Sequence, residues 1–233
     1  MLPKNSFINC DCMEFMRTCP SKYFSLAIID PPYGIGMHNV VASGTTGTRV
    51  EKNGSVSKIA RQPTRDKVWD ASPPPQEYFD QLFRVSKNQI IWGGNHFVTK
   101  IKRDSNCWII WNKKNGRTKQ SDCELAWTSF DTTIRMFEYM WCGMIQEEQD
   151  KRFVEERIHP TQKPTKLYKY LLRNYAKAGD LILDTHVGSA SSLIACVELG
   201  FDYIGFEIDR DYYVAASKRL SQATRKYELE FGG

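Results

Sequence analysis

The uncharged run Phe24-Ser25-Leu26-Ala27-Ile28-Ile29 stops at Asp30-Pro31-Pro32-Tyr33, an acid followed by two prolines and an aromatic ring. Such a run predicts a buried strand, and a carboxylate at its carboxyl end stands where ligands bind in open α/β sheets. The prolines fix φ and donate no backbone hydrogen bond; they also bias Asp30 toward extended backbone and leave the Pro31 carbonyl without a helix to join. The tetrapeptide therefore offers two acceptors and one aromatic face on a stiff loop, a cradle suited to a planar amino group. An ordinary strand with a proline turn would read the same way, so the remaining sequence has to decide.

A second acid-bearing unit lies near the other end of the chain. Leu181-Ile182-Leu183-Asp184 reads as a buried strand, followed by the small-residue turn His186-Val187-Gly188-Ser189 and a helix to Leu199 capped by Gly200. The next strand, Tyr203-Ile204-Gly205-Phe206, ends in Glu207, 19 residues after Gly188. That is the distance at which dinucleotide folds place a ribose-binding carboxylate, yet the full G-x-G-x-x-G pattern is missing. A pyrophosphate needs several exposed N–H groups at a helix start, and Asp184 beside Gly188 would repel it. The pair suits a nucleoside carrying a positive charge better than NAD, which disfavours a dehydrogenase.

The elements that must position these acids can be read coarsely. Ser6 to Cys10 predicts a short strand leading to Asp11, with a short helix from Met13. Pro73-Pro74-Pro75 precedes a helix over 76–85, whose Tyr78, Phe79, Leu82 and Phe83 recur at helical spacing. Gln89–Trp92 and Cys107–Trp111 predict strands, and Glu124–Trp127 and Thr133–Phe137 predict strands near a sheet edge. Residues 146–157 read as charged and irregular. Pro164 is placed to open a helix at its first position, with Leu167, Leu171 and Tyr175 along one face and Gly179 as its end. A last helix runs from Arg210 to about Tyr227. Between Gly36 and Arg65 periodicity disappears, and Arg49, Lys52, Lys58, Arg61 and Arg65 punctuate a linker-like stretch. A loop of that length predicts a basic flap that orders on a polyanion.

At 233 residues the chain is long enough for one α/β domain with a sizeable core, and 41% hydrophobic with 25% charged residues fits a globular protein. No apolar run is long enough to span a bilayer, and the first residues lack a signal peptide's apolar region. Seven cysteines, none in C-x-x-C spacing, predict reduced thiols in a cytoplasm and no structural metal. The net charge is only +5, but seven basic residues against one acid lie between Lys100 and Lys119, and five against none between Lys163 and Lys177. Such clusters suit a phosphate backbone.

Taken together, Asp30-Pro31-Pro32-Tyr33, His159-Pro160-Thr161-Gln162-Lys163-Pro164 and the 184–207 unit resemble the amino-methylating DNA methyltransferases that use S-adenosylmethionine. With the catalytic loop first and the cofactor loop late, the order is similar to the β-permuted group of that family. The similarity covers nearly the whole chain and is weakest at 36–66 and 137–157. It implies a doubly wound, mostly parallel α/β sheet of the Rossmann-like methyltransferase type, with seven strands and one antiparallel strand at the edge. It also implies a single domain: a catalytic half over 1–135, a basic flexible loop at 36–66, a short recognition insert at 137–158 and a cofactor-binding half over 159–233.

The resemblance further implies roles. Asp30, Pro31, Pro32 and Tyr33 would be catalytic. Asp184, Gly188 and Ser189 would line the methionine part of the cofactor, Glu207 would hold the ribose hydroxyls, and Asp11 would accept from the adenine amino group. Thr161 and Lys163 would approach the cofactor carboxylate. Lys113, Lys114, Arg117 and Lys119 are candidate DNA phosphate contacts. The partner is DNA, with no membrane, and monomer and homodimer are both compatible with the sequence. The implied reaction is methylation of N6 on a flipped adenine, as in a restriction–modification system. N4-cytosine methylation is the nearest rival, since in this family Asp at position 30 leans toward adenine and Ser toward cytosine. Glutamine-amide methylation would call for Asn in place of Asp30. Two departures stand out: Thr185-His186 where many relatives carry Pro-Phe or Pro-Pro, and Ala190 where they carry a second glycine. Ala190 costs little if its φ is negative. Together with His186 it prompts a further alternative, a DNA-binding module that has kept the fold without the activity.

Overall fold

The computed structural model describes residues 2–36, 48–50, 56–58, 70–116, 121–142, 145–150 and 154–231. Two compact units partition the chain, one formed by 1–31 with 75–233 and the other by 32–74.

The larger unit begins with β1 (Ser6–Ile8), α1 (Cys12–Thr18) and β2 (Phe24–Ile29). In the smaller unit, β3 (Thr48–Val50) and β4 (Val56–Lys58) form an antiparallel pair inside the stretch expected to be without structure. The rest of the basic flap lies outside the described residues. The same unit holds a tight loop in which the Asp70 carboxylate accepts from Gly34 N at 2.7 Å and its carbonyl accepts from Gly36 N.

The larger unit resumes with α2 (Gln76–Val85), β5 (Ser86–Trp92), a 3₁₀ turn at Gly94–His96 and α3 (Val98–Ile101). Then come β6 (Trp108–Asn112), β7 (Cys123–Thr128), β8 (Arg135–Glu138), and the small pair β9 (Trp141–Cys142) and β10 (Ile145–Gln146). It closes with α4 (Thr165–Tyr175), β11 (Leu181–Asp184), α5 (Ser191–Leu199), β12 (Asp202–Phe206) and α6 (Arg210–Phe231).

Eight strands make one sheet in the order β1-β12-β11-β2-β5-β7-β6-β8, one more than the seven expected. The strand expected near an edge over Thr133–Phe137 is β8, which pairs parallel to β6 with Ile109 opposite Arg135 and closes that edge. The antiparallel strand is β7, and it is interior rather than at the edge: it pairs with β5 on one side and β6 on the other. The chain reverses after β6 and returns alongside it, and β5 supplies the second row of hydrogen bonds. Leu125-Ala126-Trp127 is apolar without alternation, as suits a strand covered on both faces.

Both faces of the sheet are covered, which explains why the carboxyl halves of β2 and β5 read as apolar runs: Ala27, Ile28, Ile29, Ile90, Ile91 and Trp92 are all buried. On one face Leu26, Ile28, Ile90 and Trp92 share a core with Leu167, Leu171 and Leu172 of α4, Leu193 and Ile194 of α5, and Ala216 of α6. Each fully buried leucine contributes about 1.5–3 kcal/mol. On the other, Phe15 of α1 meets Phe24 and Phe206, and Phe83 of α2 sets its edge on Trp127. The α2 boundaries match the sequence reading, with Pro75 as the N-cap. Pro164 is likewise the cap of α4 rather than its first helical residue, and α4 ends at Tyr175, four residues before Gly179, whose φ of +86° belongs to the following turn. The last helix runs past Tyr227 to Phe231.

Gly94 follows β5 where the chain must press against β7. A Cβ there would lie 2.6 Å from Trp127 Cβ and 2.8 Å from its backbone nitrogen. Neither atom can yield without moving the sheet. Gly94→Ala should therefore cost about 1–3 kcal/mol or more, read as a lowered urea midpoint. A variant within about 0.5 kcal/mol of wild type would contradict this account of the turn.

Candidate active site

Four acids sit just past the carboxyl ends of four neighbouring parallel strands: Asp11 after β1, Glu207 after β12, Asp184 ending β11 and Asp30 after β2. Register fixes this arrangement, since Leu183 pairs with both Ala27 and Ile204, and Ile8 pairs with Phe206. The crevice outside strand ends is where open α/β sheets bind ligands. The two motifs that open and close the chain thus meet on one edge.

Each acid is held differently. Asp11 caps α1, its carboxylate accepting from Met13 N at 2.9 Å, a role open to any N-cap Asp. Glu207 is buried and reaches across to the cofactor-type loop: Oε2 accepts from Gly188 N at 2.8 Å and Oε1 from Asp209 N at 2.9 Å. Asp184 is 2% exposed and accepts from His186 N at 2.9 Å and from the Ser192 hydroxyl. These donors are neutral. Burial pushes the Asp184 carboxyl up to about 7, with the charges of Asp30 and Glu207 adding to the effect and the two hydrogen bonds opposing it. Burial likewise raises Glu207.

Gly188 adopts φ +55°, and a Cβ there would stand 3.7 Å from the His159 ring. That ring packs edge-on against Tyr212 with centroids 4.3 Å apart, and its Nδ1 lies 3.2 Å from the Thr161 hydroxyl. His159 therefore faces the glycine loop, with the Thr161 hydroxyl on the His159 ring. The Ser189 hydroxyl lies 3.0 Å from that of Ser191, and its carbonyl accepts from Arg219 at 2.6 Å. Arg219 also pairs with Glu155 and so ties α6, the glycine loop and the start of α4 together.

The two departures from the family pattern have local explanations. Ala190 has φ +63°, the left-handed region, so the condition for a negligible cost is not met; L-residues there lose roughly 1–2 kcal/mol. Its fully buried methyl group packs in the core, offsetting part of that strain. His186 stacks edge-on with Tyr78 at 5.4 Å, and Nδ1 meets the Thr185 hydroxyl at 2.9 Å. Burial lowers its pKa, so the ring is neutral and shapes the loop.

Lys163, expected to approach the cofactor carboxylate, pairs with two acids of this chain. It is 4% exposed, and its ammonium lies 2.5 Å from Asp30 Oδ2 and 2.9 Å from Glu124 Oε2. Burial works against its charge, but the two carboxylates more than offset this and raise its pKa above the ordinary lysine value. Glu124, on β7, was not singled out in the sequence; the available signal was a lone acid in an apolar strand. Burial would raise its carboxyl, yet Lys163 and Lys113 hold it well below the usual range.

The basic runs look different once folded. Lys113 pairs with Glu124 at 2.5 Å, and Lys114, at φ +50°, stands 3.7 Å from Glu147. Arg117 and Lys119 lie outside the described residues. In the 163–177 run Lys163 is internal, Lys166 pairs with Glu148, and Lys169 pairs with Glu198, so it is no continuous phosphate-binding face. Among the described residues no helix is long and apolar enough to cross a membrane, and no three His, Cys, Asp or Glu side chains are grouped to hold a metal.

Comparison with known proteins agrees with this geometry. Type II methyltransferase M.HinfI of Haemophilus influenzae is 26% identical over 94% of this chain and 68% of its own length. The crystal structure of the M1.HpyAVI–SAM complex superposes with a TM-score of 0.54 at 17% identity, covering 92% of this chain and 98% of that one. PvuII DNA methyltransferase, described as cytosine-N4-specific, gives 0.57 at 11% identity over 97% and 93%. The family described as DNA methylase matches residues 101–218, just over half of the sequence, and the chain belongs to that family.

Proposed function

We propose that this protein methylates the exocyclic N6 of adenine in DNA, with S-adenosylmethionine as the cofactor. The observation that carries the reading is the arrangement of Asp30, Asp184 and Glu207 past adjacent strand ends, with Gly188 opposite His159. The residues suit such a cofactor: Asp184 is buried among neutral donors and favours a cation, Gly188 leaves room a side chain would fill, and Glu207 presents a carboxylate suited to ribose hydroxyls. The cofactor supplies a methyl group activated on a sulfonium.

The protein's own residues do the rest. An aromatic amine is a poor nucleophile because its lone pair is delocalised into the ring. Hydrogen bonds from its two protons to the Asp30 carboxylate and the Pro31 carbonyl favour a pyramidal nitrogen whose lone pair points away from them. The methylated nitrogen would be cationic and acidic, and one proton would leave by way of Asp30. Asp30 need not be a strong base, because that acidity appears only with methylation. Most of the rate then comes from positioning and electrostatics.

The base must leave the duplex, at a cost of a few kcal/mol of stacking. Tyr33, three residues after Asp30, offers its ring as a replacement stacking surface. Tyr33→Ala should lower kcat/KM far more than Tyr33→Phe, by about tenfold or more, in an assay of labelled methyl incorporated into DNA. Equal losses in the two variants would remove the stacking role. We assign the catalytic half to 1–135, the cofactor half to 159–233 and target recognition to 37–66 and 112–158, with Lys114, Arg117 and Lys119 as phosphate contacts and Lys113 kept by its pairing with Glu124.

The deciding experiment is to methylate DNA with the purified protein, digest it and identify the modified nucleoside by mass spectrometry. N6-methyladenine is the expected product; N4-methylcytosine would replace the base assignment while keeping the amino chemistry. Absence of both, with DNA binding intact, would favour the module without activity.

A further inference from the structure

We propose that Lys163, braced by Glu124, is the positioning residue that fixes the Asp30 carboxylate toward the substrate amine, and that it does not hold the cofactor. The inference rests on Asp30 accepting from that amine.

Asp30 precedes two prolines, so neither of the next two residues has an N–H to orient its carboxylate. Among the described residues the buried Lys163 ammonium lies 2.5 Å from Asp30 Oδ2 and is placed to orient the carboxylate. The same ammonium is fixed at 2.9 Å by Glu124, and Glu124 in turn receives Lys113 at 2.5 Å. The four side chains form an alternating row, Lys113–Glu124–Lys163–Asp30, with two charges of each sign. It begins beyond β6, crosses β7 and ends at the loop after β2. The Trp92 ring lies 5.5 Å from the Lys163 nitrogen, supporting it through its π face.

A lysine reaching for a cofactor carboxylate would be available to an incoming anion. Lys163 instead spends its charge on two internal carboxylates. Two other groups complete the surroundings. The Asp184 carboxylate at the end of β11 feels the charge of Asp30, and the buried Tyr168 hydroxyl of α4 feels Asp30, Asp184 and Glu124. Among the described residues Lys163 is a cation paired with Asp30, so its loss loosens the carboxylate and favours its protonation.

The test uses the full chain with Lys163→Met and Glu124→Gln, measuring kcat against pH at saturating DNA and S-adenosylmethionine, and cofactor affinity by calorimetry. Lys163→Met should lower kcat about a hundredfold, the scale of a misplaced reacting group, with cofactor Kd unchanged within about threefold. The acid limb of its kcat profile should move to higher pH, because a positive neighbour has been removed. Glu124→Gln should lower kcat about tenfold by loosening the ammonium, and its acid limb should not rise, because the charge removed is negative. It also serves if Lys163→Met does not fold. Loss of cofactor affinity in step with activity, an unmoved acid limb in Lys163→Met, or wild-type kcat in Glu124→Gln would each overturn the inference. Turnover retained by Asp30→Ala would sink the underlying reading; an inactive Asp30→Ala beside an active Lys163→Met would sink only this one.

Discussion

Asp30→Ala should lower methyl transfer by at least about a thousandfold while leaving S-adenosylmethionine binding within about threefold of wild type. The loss combines one preorganised acceptor, worth 10²–10³ in comparable sites, with the freedom the amine regains when one of its protons is no longer held. Cofactor affinity should survive because Asp184, Glu207 and Gly188 belong to β11, β12 and the intervening loop, held by their own hydrogen bonds. The variant also leaves the Lys163 ammonium with one fewer carboxylate. Stripping a buried charge of its partner costs about 3–5 kcal/mol, and less here because Glu124 stays in place. The urea midpoint of the same variant, measured beside its turnover, separates that stability loss from the chemical one. Turnover above a tenth of wild type in Asp30→Ala would contradict the assignment.

The second large effect concerns pH. Cofactor affinity should weaken as pH falls below about 7, by up to tenfold per unit, because a cationic ligand needs Asp184 ionised and burial has raised that carboxyl to about 7. The cofactor-free protein should respond in the opposite sense. A carboxyl raised above its unfolded value near 3.8 binds its proton more tightly when folded. Its contribution to stability is therefore complete below that value and is lost as pH rises through about 7. Glu124 runs the other way: held low by Lys163 and Lys113, it contributes above its unfolded value of 4.5, and that contribution is lost as pH falls through its depressed folded value. Calorimetric titrations with S-adenosylmethionine from pH 5.5 to 8.5 read the effect directly. Asp184→Asn should abolish the slope and weaken binding about a hundredfold. A Kd independent of pH in the wild type would remove Asp184 from the cation site.

Several features were legible before any coordinates because they are local. A proline pair after an apolar run, a glycine turn between two buried strands and a proline before an amphipathic stretch are each set by backbone sterics and short-range burial. Hence β2, β11, β12 and α2 fall where the residues predict, and the acids at their ends mark a common edge. The α4 boundary was misplaced because a proline serves equally as cap or first residue, and Gly179 marked a turn four residues past the helix end. Ala190 in the left-handed region runs against local preference and follows from the tight entry into α5.

By itself the sequence determined the α/β class, the ends of the parallel strands and the acids those ends carry, because alternation, capping and turn chemistry act over a few neighbouring residues. The tertiary structure alone decided that β7 runs inside the sheet, that β8 lies parallel to β6, and that Lys163 lies between Asp30 and Glu124, 133 and 39 positions away in the chain. Those outcomes depend on which strands exchange hydrogen bonds and on where a buried charge finds compensation. Contacts between distant residues settle both, and no periodicity in the chain encodes them.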